Sequence, residues 1–428
     1  MRRMKFAHLA DCHLGAWSRK PELQELNLRS FEYAIDKCIS EKVTFVLVAG
    51  DFFDTSFPTN TALLSRVFAK LRQLKEKNIP LYLIPGSHDF SVSGESLLKV
   101  IEAAGLCKNL MNLLSYDGNS AKLSLQREEG LAITGILGRR GSLELDIMKA
   151  LDKKSLENAV KKTKSLKIFL VHTAISELLP EELKSELGAG VEAISYESLP
   201  AGFHYYAAGH IHEAKIINSS SRDSNSVIAY SGCLFPNNFA ELAKIKHGSF
   251  IIAHFDEKTE KLVLREEKIK FKDVCAIDIG AENKTAAEVE AEIISSLEKE
   301  ELWDKILTLK VSGTLKSGRI SEINFENVYR LIEDSECFSF LRNTHGLSTT
   351  EFAAETVKGS SVEEIESSVV ESSLKSLTAR EEQAEKKKLI ETLLTLLNKE
   401  KAEDERKEDF ADRLVNEILN SLNLHSKF

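Results

Sequence analysis

No stretch of this chain reaches the roughly 18 consecutive apolar residues that a bilayer-crossing helix needs, and no leader pattern precedes the first strand-like run at Phe6. Both absences lead to the expectation of a cytoplasmic protein, nucleoid-associated if its source is prokaryotic, with no membrane partner. The six cysteines (Cys12, Cys38, Cys107, Cys233, Cys275 and Cys337) form no C-x-x-C pair and no dense framework. They read as reduced thiols of an intracellular protein. Positive charge is not in excess either: 57 Lys and Arg against 66 Asp and Glu leave a net charge of −9. That excludes a generally basic coat, so any binding of phosphate must be local. There is no internal repeat.

What the chain has is length and order. With 428 residues, 43% of them hydrophobic, it can bury a sizeable core in two or three domains. Residues 1–110 alternate β-branched runs with amphipathic segments: strand Phe6–Ala10, helix Glu22–Glu41, strand Phe45–Ala49, helix Asn60–Lys77 and strand Leu81–Ile84. This rhythm predicts a parallel sheet with helices on both faces. A further strand lies at 131–138, followed by a charged helical connector at Gly141–Lys164. Strands then resume at Ile168–Val171, Tyr205–Ala208, Val227–Tyr230, Ser249–His254 and Leu262–Ile269. Being poor in helices, this second part predicts a mixed sheet or two sheets packed face to face.

From about residue 270 the pattern changes to a small α/β unit: strands Val274–Ile279 and Leu307–Val311, helices Thr285–Lys299 and Phe325–Glu333. Beyond Thr349 the chain is rich in Ser, Glu and Lys and helical in period. Leu389, Leu393 and Leu397 recur every four residues, as do Phe410, Leu414, Ile418 and Leu422, giving each helix one apolar face. As part of the molecule's own core these faces would be unremarkable. Set behind the polar segment Lys358–Glu364, they read better as a docking element for a partner.

The chemistry follows the strands. Five of the eleven histidines fall in a series of short motifs with carboxylates beside them: Asp11-Cys12-His13, Gly50-Asp51, Gly86-Ser87-His88-Asp89, Val171-His172 and Gly209-His210-Ile211-His212. Residues i and i+2 of a strand point the same way, so Asp11 and His13 can meet one ion, and the same spacing lets His210 and His212 serve one site. Imidazole with carboxylate suits Mn, Fe or Zn, whereas Mg and Ca prefer oxygen throughout. Two such ions about 3.5–4 Å apart can share a carboxylate, for which Asp51 is the natural choice, and a hydroxide that attacks phosphorus in line. Two dications against two Asp charges leave a positive pocket in an acidic chain.

The series resembles the calcineurin-like metallophosphoesterases, whose pattern is D-x-H, G-D-x-x-D, G-N-H-[DE], H and G-H-x-H. Within them, His8 to Gly15, Ala49 to Asp54, Pro85 to Asp89 and the later Tyr230-Ser231-Gly232-Cys233-Leu234 are most similar to the SbcD-type double-strand-break repair nucleases. The motif match covers about residues 5–240; the remainder matches in arrangement only. The resemblance implies a four-layer α/β sandwich of two central mixed sheets flanked by helices, a small α/β capping domain and a C-terminal helical segment. The corresponding boundaries are 1–270, 271–348 and 349–428. It implies two divalent cations, Mn(II) above all, with Asp11, His13 and His212 on one, His172 and His210 on the other, and Asp51 between them. His88 would stabilise the phosphate and donate a proton to the leaving oxygen, Asp54 would orient His88, and Asp89 would lie just behind the ligands. It also implies DNA ends as substrate, an SMC-like coiled-coil ATPase gripped by the tail, and a homodimer formed by helices near Asn60–Lys77 and Ser93–Ala104.

One position departs from the pattern. Ser87 stands where the family has Asn as a ligand of the second cation. A hydroxyl reaches less far than a carboxamide oxygen and accepts less well, so the expectation is a weakened second site.

Three functions stay open at this point: an Mn-dependent DNA exo/endonuclease of a repair complex, a small-molecule phosphodiesterase or phosphatase, and a scaffold that binds DNA ends without cutting. The cap and tail favour the first, because a nucleotide-sized substrate needs neither. Retention of His88 and the other ligand positions argues against the third. The remaining histidines (His8, His204, His247, His254, His345, His425), Cys12 and Cys233 are read as structural, and the Arg139-Arg140 and Lys161-Lys162 pairs as solvated surface.

Overall fold

The computed structural model describes residues 3–90, 96–138, 144–179, 193–219, 226–349 and 413. The chain divides into a compact unit, Met1–Ser348, and a second, Thr349–Phe428. The expected partner-binding positions Leu389, Leu393, Leu397, Phe410, Leu414, Ile418 and Leu422 lie outside the described residues, as do Arg139 and Arg140.

In the first unit β1 (Arg3–Leu9), β2 (Phe45–Ala49), β3 (Leu81–Ile84) and β4 (Lys108–Asn109) run parallel. Their connections are α1 (Pro21–Ser40), α2 (Thr61–Glu76) and α3 (Leu97–Ala103). After a hairpin of β5 (Leu114–Asp117) and β6 (Ser120–Leu123), a second sheet is built from β7 (Gln126–Glu128), β8 (Leu131–Ile136), β9 (Leu166–His172), β10 (Tyr205–Gly209), β11 (Lys215–Ser219) and β12 (Ser226–Tyr230). Its order is β11-β12-β10-β9-β8-β7, with α4 (Glu144–Ala150) and α5 (Lys153–Lys161) between β8 and β9. After α6 (Phe239–Ile245) the chain returns to the first sheet as β13 (Gly248–Asp256), antiparallel to β1, and β14 (Lys261–Ile269), antiparallel to β13.

Three apolar clusters define four layers. Ala7, Leu9, Val46, Val48 and Leu83 face α1 and α2 residues such as Phe31, Ile35, Val67 and Leu71. The opposite face of the same sheet (Phe6, Phe45, Leu47, Tyr82, Ile84) meets Ile133, Ile168, Leu170, Tyr205 and Ala207 of the second sheet. That second sheet turns Phe169, Val171 and Tyr206 toward Ile147, Leu156 and Val160 of α4 and α5. Helices therefore cover one face of the first sheet and not both. The runs that looked able to receive helices on either side are buried against another sheet, and all five residues of β2 are buried. At roughly 1.5–3 kcal/mol for each large apolar side chain removed from water, this sheet-on-sheet face outweighs any alternative for it.

Other differences from the sequence reading have local causes. The helices expected from Asn60 and Thr285 begin one residue later, because each of those residues is an N-cap whose side chain accepts an N–H from Leu63 or Glu288. The connector at 141–164 is broken at Leu151-Asp152: Leu151 bridges to Ala121, and Asp152 caps α5 through the Ser155 N–H. Strands β4 to β7, of two to four residues each, are too short for a clear two-residue period.

The residues after 270 form a third sheet from β15 (Val274–Gly280), β16 (Ile306–Leu315), β17 (Ser339–Asn343) and β18 (Leu347–Thr349). It is covered by α7 (Ala286–Glu298) and α8 (Phe325–Asp334) and has its own core around Val289, Ile293, Leu309 and Val328. This layer belongs to the same compact unit as the two large sheets. Leu23 and Leu26 of α1, Phe235 and Leu242 cluster with Ile306, and Lys20 Nζ donates to the Phe340 carbonyl at 3.1 Å.

Candidate metal centre

The motif residues stand at the carboxyl ends of β1, β2, β3, β9 and β10, the edge at which open α/β sheets assemble sites. The loops there are laced together by the main chain. The Asp11 N–H donates to the Gly50 carbonyl at 3.1 Å, the His13 N–H to the Asp51 carbonyl at 3.0 Å, and the His210 N–H to Asp11 Oδ1 at 3.0 Å. Asp11, His13, Asp51 and His210 all take left-handed φ values, of 50°, 41°, 49° and 94°. Such backbone is strained in residues with side chains, and the lacing holds it. The motif glycines are dictated by closeness. A β-carbon at Gly86 would lie 2.2 Å from Asp51 Oδ1, and one at Gly50, where φ is +93°, 2.1 Å from His172 Nδ1.

Around this lattice the side chains converge. Asp11, His13 and His212 bring ligand atoms within 4.8 Å of one another, and so do Asp11, Asp51 and His172. Asp51 Oδ2 lies between them, 3.2 Å from His172 Nε2 and 3.8 Å from His13 Nε2. His13 Nε2 and His212 Nε2 face each other at 3.2 Å. His172 donates from Nδ1 to the Ala49 carbonyl at 2.8 Å, and its buried Nε2 has no hydrogen-bond partner.

A cation fits this set. Imidazole nitrogens turned toward one another and an orphaned buried nitrogen are satisfied by a shared ion, and a mixed N/O donor set suits Mn, Fe or Zn. The residues that would hold a pair of ions are Asp11, His13 and His212 on one side and His172 on the other, with Asp51 between.

His210 belongs to none of these groups: it is exposed, and its ring stands 5.3 Å from that of His172, edge to face. Strand β10 ends at Gly209, and His210 takes a left-handed φ just past it, as Asp11 and His13 do past β1. Ser87 Oγ donates to Asp51 Oδ2 at 3.4 Å. His88 is more than a third exposed, and its ring stands 4.7 Å from that of His13. Its main-chain N–H binds Asp51 Oδ1 at 2.8 Å, and its Nδ1 donates to the Asp54 carbonyl at 2.8 Å. The Asp54 carboxylate itself sits nearer His13 Nδ1 (3.3 Å) than His88 Nδ1 (3.9 Å). Asp89 is buried, and its carboxyl accepts the N–H groups of Phe52, Phe53 and Gly86, which ties the Asp51 loop to the His88 loop.

The buried charges perturb one another. Burial pushes the Asp11 carboxyl up, against the pull of His212 and His172. Burial also opposes ionisation of Asp51, but His172 and His13 outweigh it and hold this carboxyl far below the usual range. Burial alone would drive the proton off His172. The Asp51 and Asp11 carboxylates instead raise it to about 10. A proton and a cation thus compete for one nitrogen.

Sequence reasoning missed Glu241. Its Oε2 lies 2.9 Å from His212 Nδ1, and with Asp11 it outweighs burial and raises the His212 imidazole. The spacing Asn238-x-x-Glu241 marks the start of α6, but nothing local says which imidazole the acid will meet. The histidines outside the series sit in the fold: His8 is buried with Nδ1 2.8 Å from the Tyr205 hydroxyl, and His204 Nδ1 accepts the Lys167 N–H.

Residues 4–214 match the model of the calcineurin-like phosphoesterase family. This stretch is a calcineurin-like phosphoesterase domain, and it carries Asp and His groups able to hold divalent metal. More particular relatives extend past the domain. The chain is 27% identical over 365 residues to the DNA double-strand break repair protein Mre11 of Archaeoglobus fulgidus, covering 78% of this chain and 76% of that protein. It is 27% identical over 320 residues to Mre11 of Sulfolobus acidocaldarius, covering 73% and 76%. To Mre11 of Methanococcus maripaludis it is 30% identical over 232 residues, covering 54% and 56%.

Proposed function

We propose that this chain is an Mn(II)-dependent DNA nuclease of the Mre11 kind. It hydrolyses phosphodiester bonds at DNA ends in double-strand-break repair, as exonuclease and endonuclease, beside an SMC-like coiled-coil ATPase. The observation that carries the reading is the convergence of Asp11, His13 and His212 with Asp51 and His172 about the Asp51 carboxylate, at the mouth of parallel strands.

In this reading Asp11, His13 and His212 hold one cation, His172, His210 and Ser87 the other, and Asp51 both. When bound, the two dications supply Lewis acidity toward the phosphoryl oxygens and acidify a water. The protein supplies the rest. A main-chain carbonyl can only accept, so the bond from His88 Nδ1 to Asp54 leaves Nε2 of His88 to carry the mobile proton to the leaving oxygen. Asp54 keeps His88 in this tautomer through its carbonyl, while its carboxylate steadies His13. Asp89 holds both loops in register from behind.

Two copies are proposed to pair through the helices near 60–77 and 97–103, beside which Phe57 and Val100 are more than half exposed. The tail beyond 349 is the proposed grip on the ATPase. No helix among the described residues is long and apolar enough to cross a membrane; the site proposed for the complex is cytoplasmic.

The test is Mn(II)-dependent cleavage of 3′-labelled duplex DNA beside hydrolysis of bis-p-nitrophenyl phosphate. Both are expected in the native chain, and His88→Ala is expected to lower DNA cleavage by about 10²–10⁴-fold with Mn(II) binding intact. Cleavage of the small ester alone, even with the ATPase present, would turn the assignment to a small-molecule phosphodiesterase. Inertness toward both would leave a scaffold.

A further inference from the structure

We infer that Glu241 is the positioning residue for the first cation. It fixes the His212 imidazole so that Nε2 faces Asp11 and His13, and it makes this half of the centre the tighter one. The inference rests on the reading of His212 as a ligand.

Glu241 is anchored before it meets the imidazole. Its Oε2 accepts the Asn237 N–H at 2.9 Å and its Oε1 accepts the Asn238 side-chain amide, while its own N–H donates to Asn238 Oδ1 at 3.0 Å. The held carboxylate then stands 2.9 Å from His212 Nδ1, an ion-pair contact outside hydrogen-bond geometry. A carboxylate accepts and does not donate, so the ring proton belongs on Nδ1 and the Nε2 lone pair is left for the centre. That nitrogen lies 3.2 Å from His13 Nε2 and 3.7 Å from Asp11 Oδ1.

The other half has no such partner among the described residues. The His172 Nδ1 bonds the neutral Ala49 carbonyl at 2.8 Å, with the Asp11 carboxylate farther off at 3.9 Å; a carbonyl is a weaker acceptor than a charged carboxylate, and Ser87 offers only a hydroxyl. The carboxylate-backed imidazole is the better donor to a cation. Partners of this kind are worth about 10–100-fold in affinity. The two sites are therefore unequal, and the one backed by Glu241 fills first.

The experiment titrates the metal-free full-length chain with Mn(II) by calorimetry, alongside Glu241→Ala, Glu241→Gln and His212→Ala, with thermal melting of each metal-free variant to report folding. Glu241→Ala is expected to weaken the tighter site about 10–100-fold and to leave the weaker site within about twofold. Glu241→Gln, whose amide oxygen can still accept from Nδ1, is expected to recover part of the loss, which a merely structural role for the helix start would not produce. Tight-site affinity within about twofold of the native value in a folded Glu241→Ala, with that affinity lost in His212→Ala, overturns the inference alone. If the alanine variant does not fold, native affinity in Glu241→Gln overturns it equally. Native affinity in His212→Ala would remove the ligand reading itself, and the inference with it.

Discussion

Ser87 is the residue at which this centre departs most from its family pattern, and the geometry shows why it matters. Its hydroxyl is turned onto Asp51 Oδ2 at 3.4 Å, so it is engaged with the carboxylate proposed to stand between the two cations. A longer carboxamide at the same place would bring an oxygen outward. Ser87→Asn is therefore expected to tighten the proposed second cation site by about tenfold, the size of one good polar interaction of roughly 1.4 kcal/mol. Counting bound ions against Mn(II) concentration in both proteins checks this. Two equally tight ions in native protein and variant alike would dispose of it.

At the scale of elements, the strand ends are held by the buried carboxyl of Asp89, which serves the loops after β2 and β3 at once. An amide offers one accepting oxygen where the carboxyl offers two. Asp89→Asn therefore strands at least one of the three buried N–H groups, at a cost of about 1–3 kcal/mol. The cost carries a pH signature. Burial first, and the Asp51 charge second, raise this carboxyl to about 7, against the three N–H bonds. The folded state thus binds the proton more strongly than the unfolded chain, whose carboxyl titrates near 3.9. Stability from that proton is complete at low pH and is lost as pH rises through about 7. The advantage of wild type over Asp89→Asn, measured by urea unfolding of metal-free protein, is expected to shrink between pH 4 and pH 8. A pH-independent difference would mean that the carboxyl is not perturbed in this way.

For the whole molecule, the third sheet and the candidate metal centre share helix α6. Leu242 is buried against Phe235, Leu23 and Ile306 of β16, while Glu241, its neighbour in sequence, reaches His212. Leu242→Ala is expected to cost about 2–5 kcal/mol as a core truncation, seen as a lower melting temperature. It is also expected to weaken Mn(II) binding, because the helix that aims Glu241 loses its backing. A variant with lowered melting temperature and native Mn(II) affinity would confine the third sheet's influence to stability.

Much of this was legible in the residues themselves. The β-branched runs announced β1, β2, β3, β9 and β10, because strands buried on both faces must be apolar throughout. The order of Asp, His and Gly motifs at their ends announced a metal centre, because each motif carries its own chemistry. Gly50 and Gly86 could be read only as motif letters, although they are forced by β-carbon distances across the site. What tertiary structure alone decided are the relations between distant segments. β13 and β14 return to the first sheet, and the inner face of that sheet meets another sheet instead of helices. His210 stands beside His172, a relation its spacing from His212 does not contain. Glu241 meets His212 only because α6 is folded back over the strand ends. Local patterns encode what each segment needs to bury or to bind; which partner satisfies the need is set by packing, and no local pattern contains it.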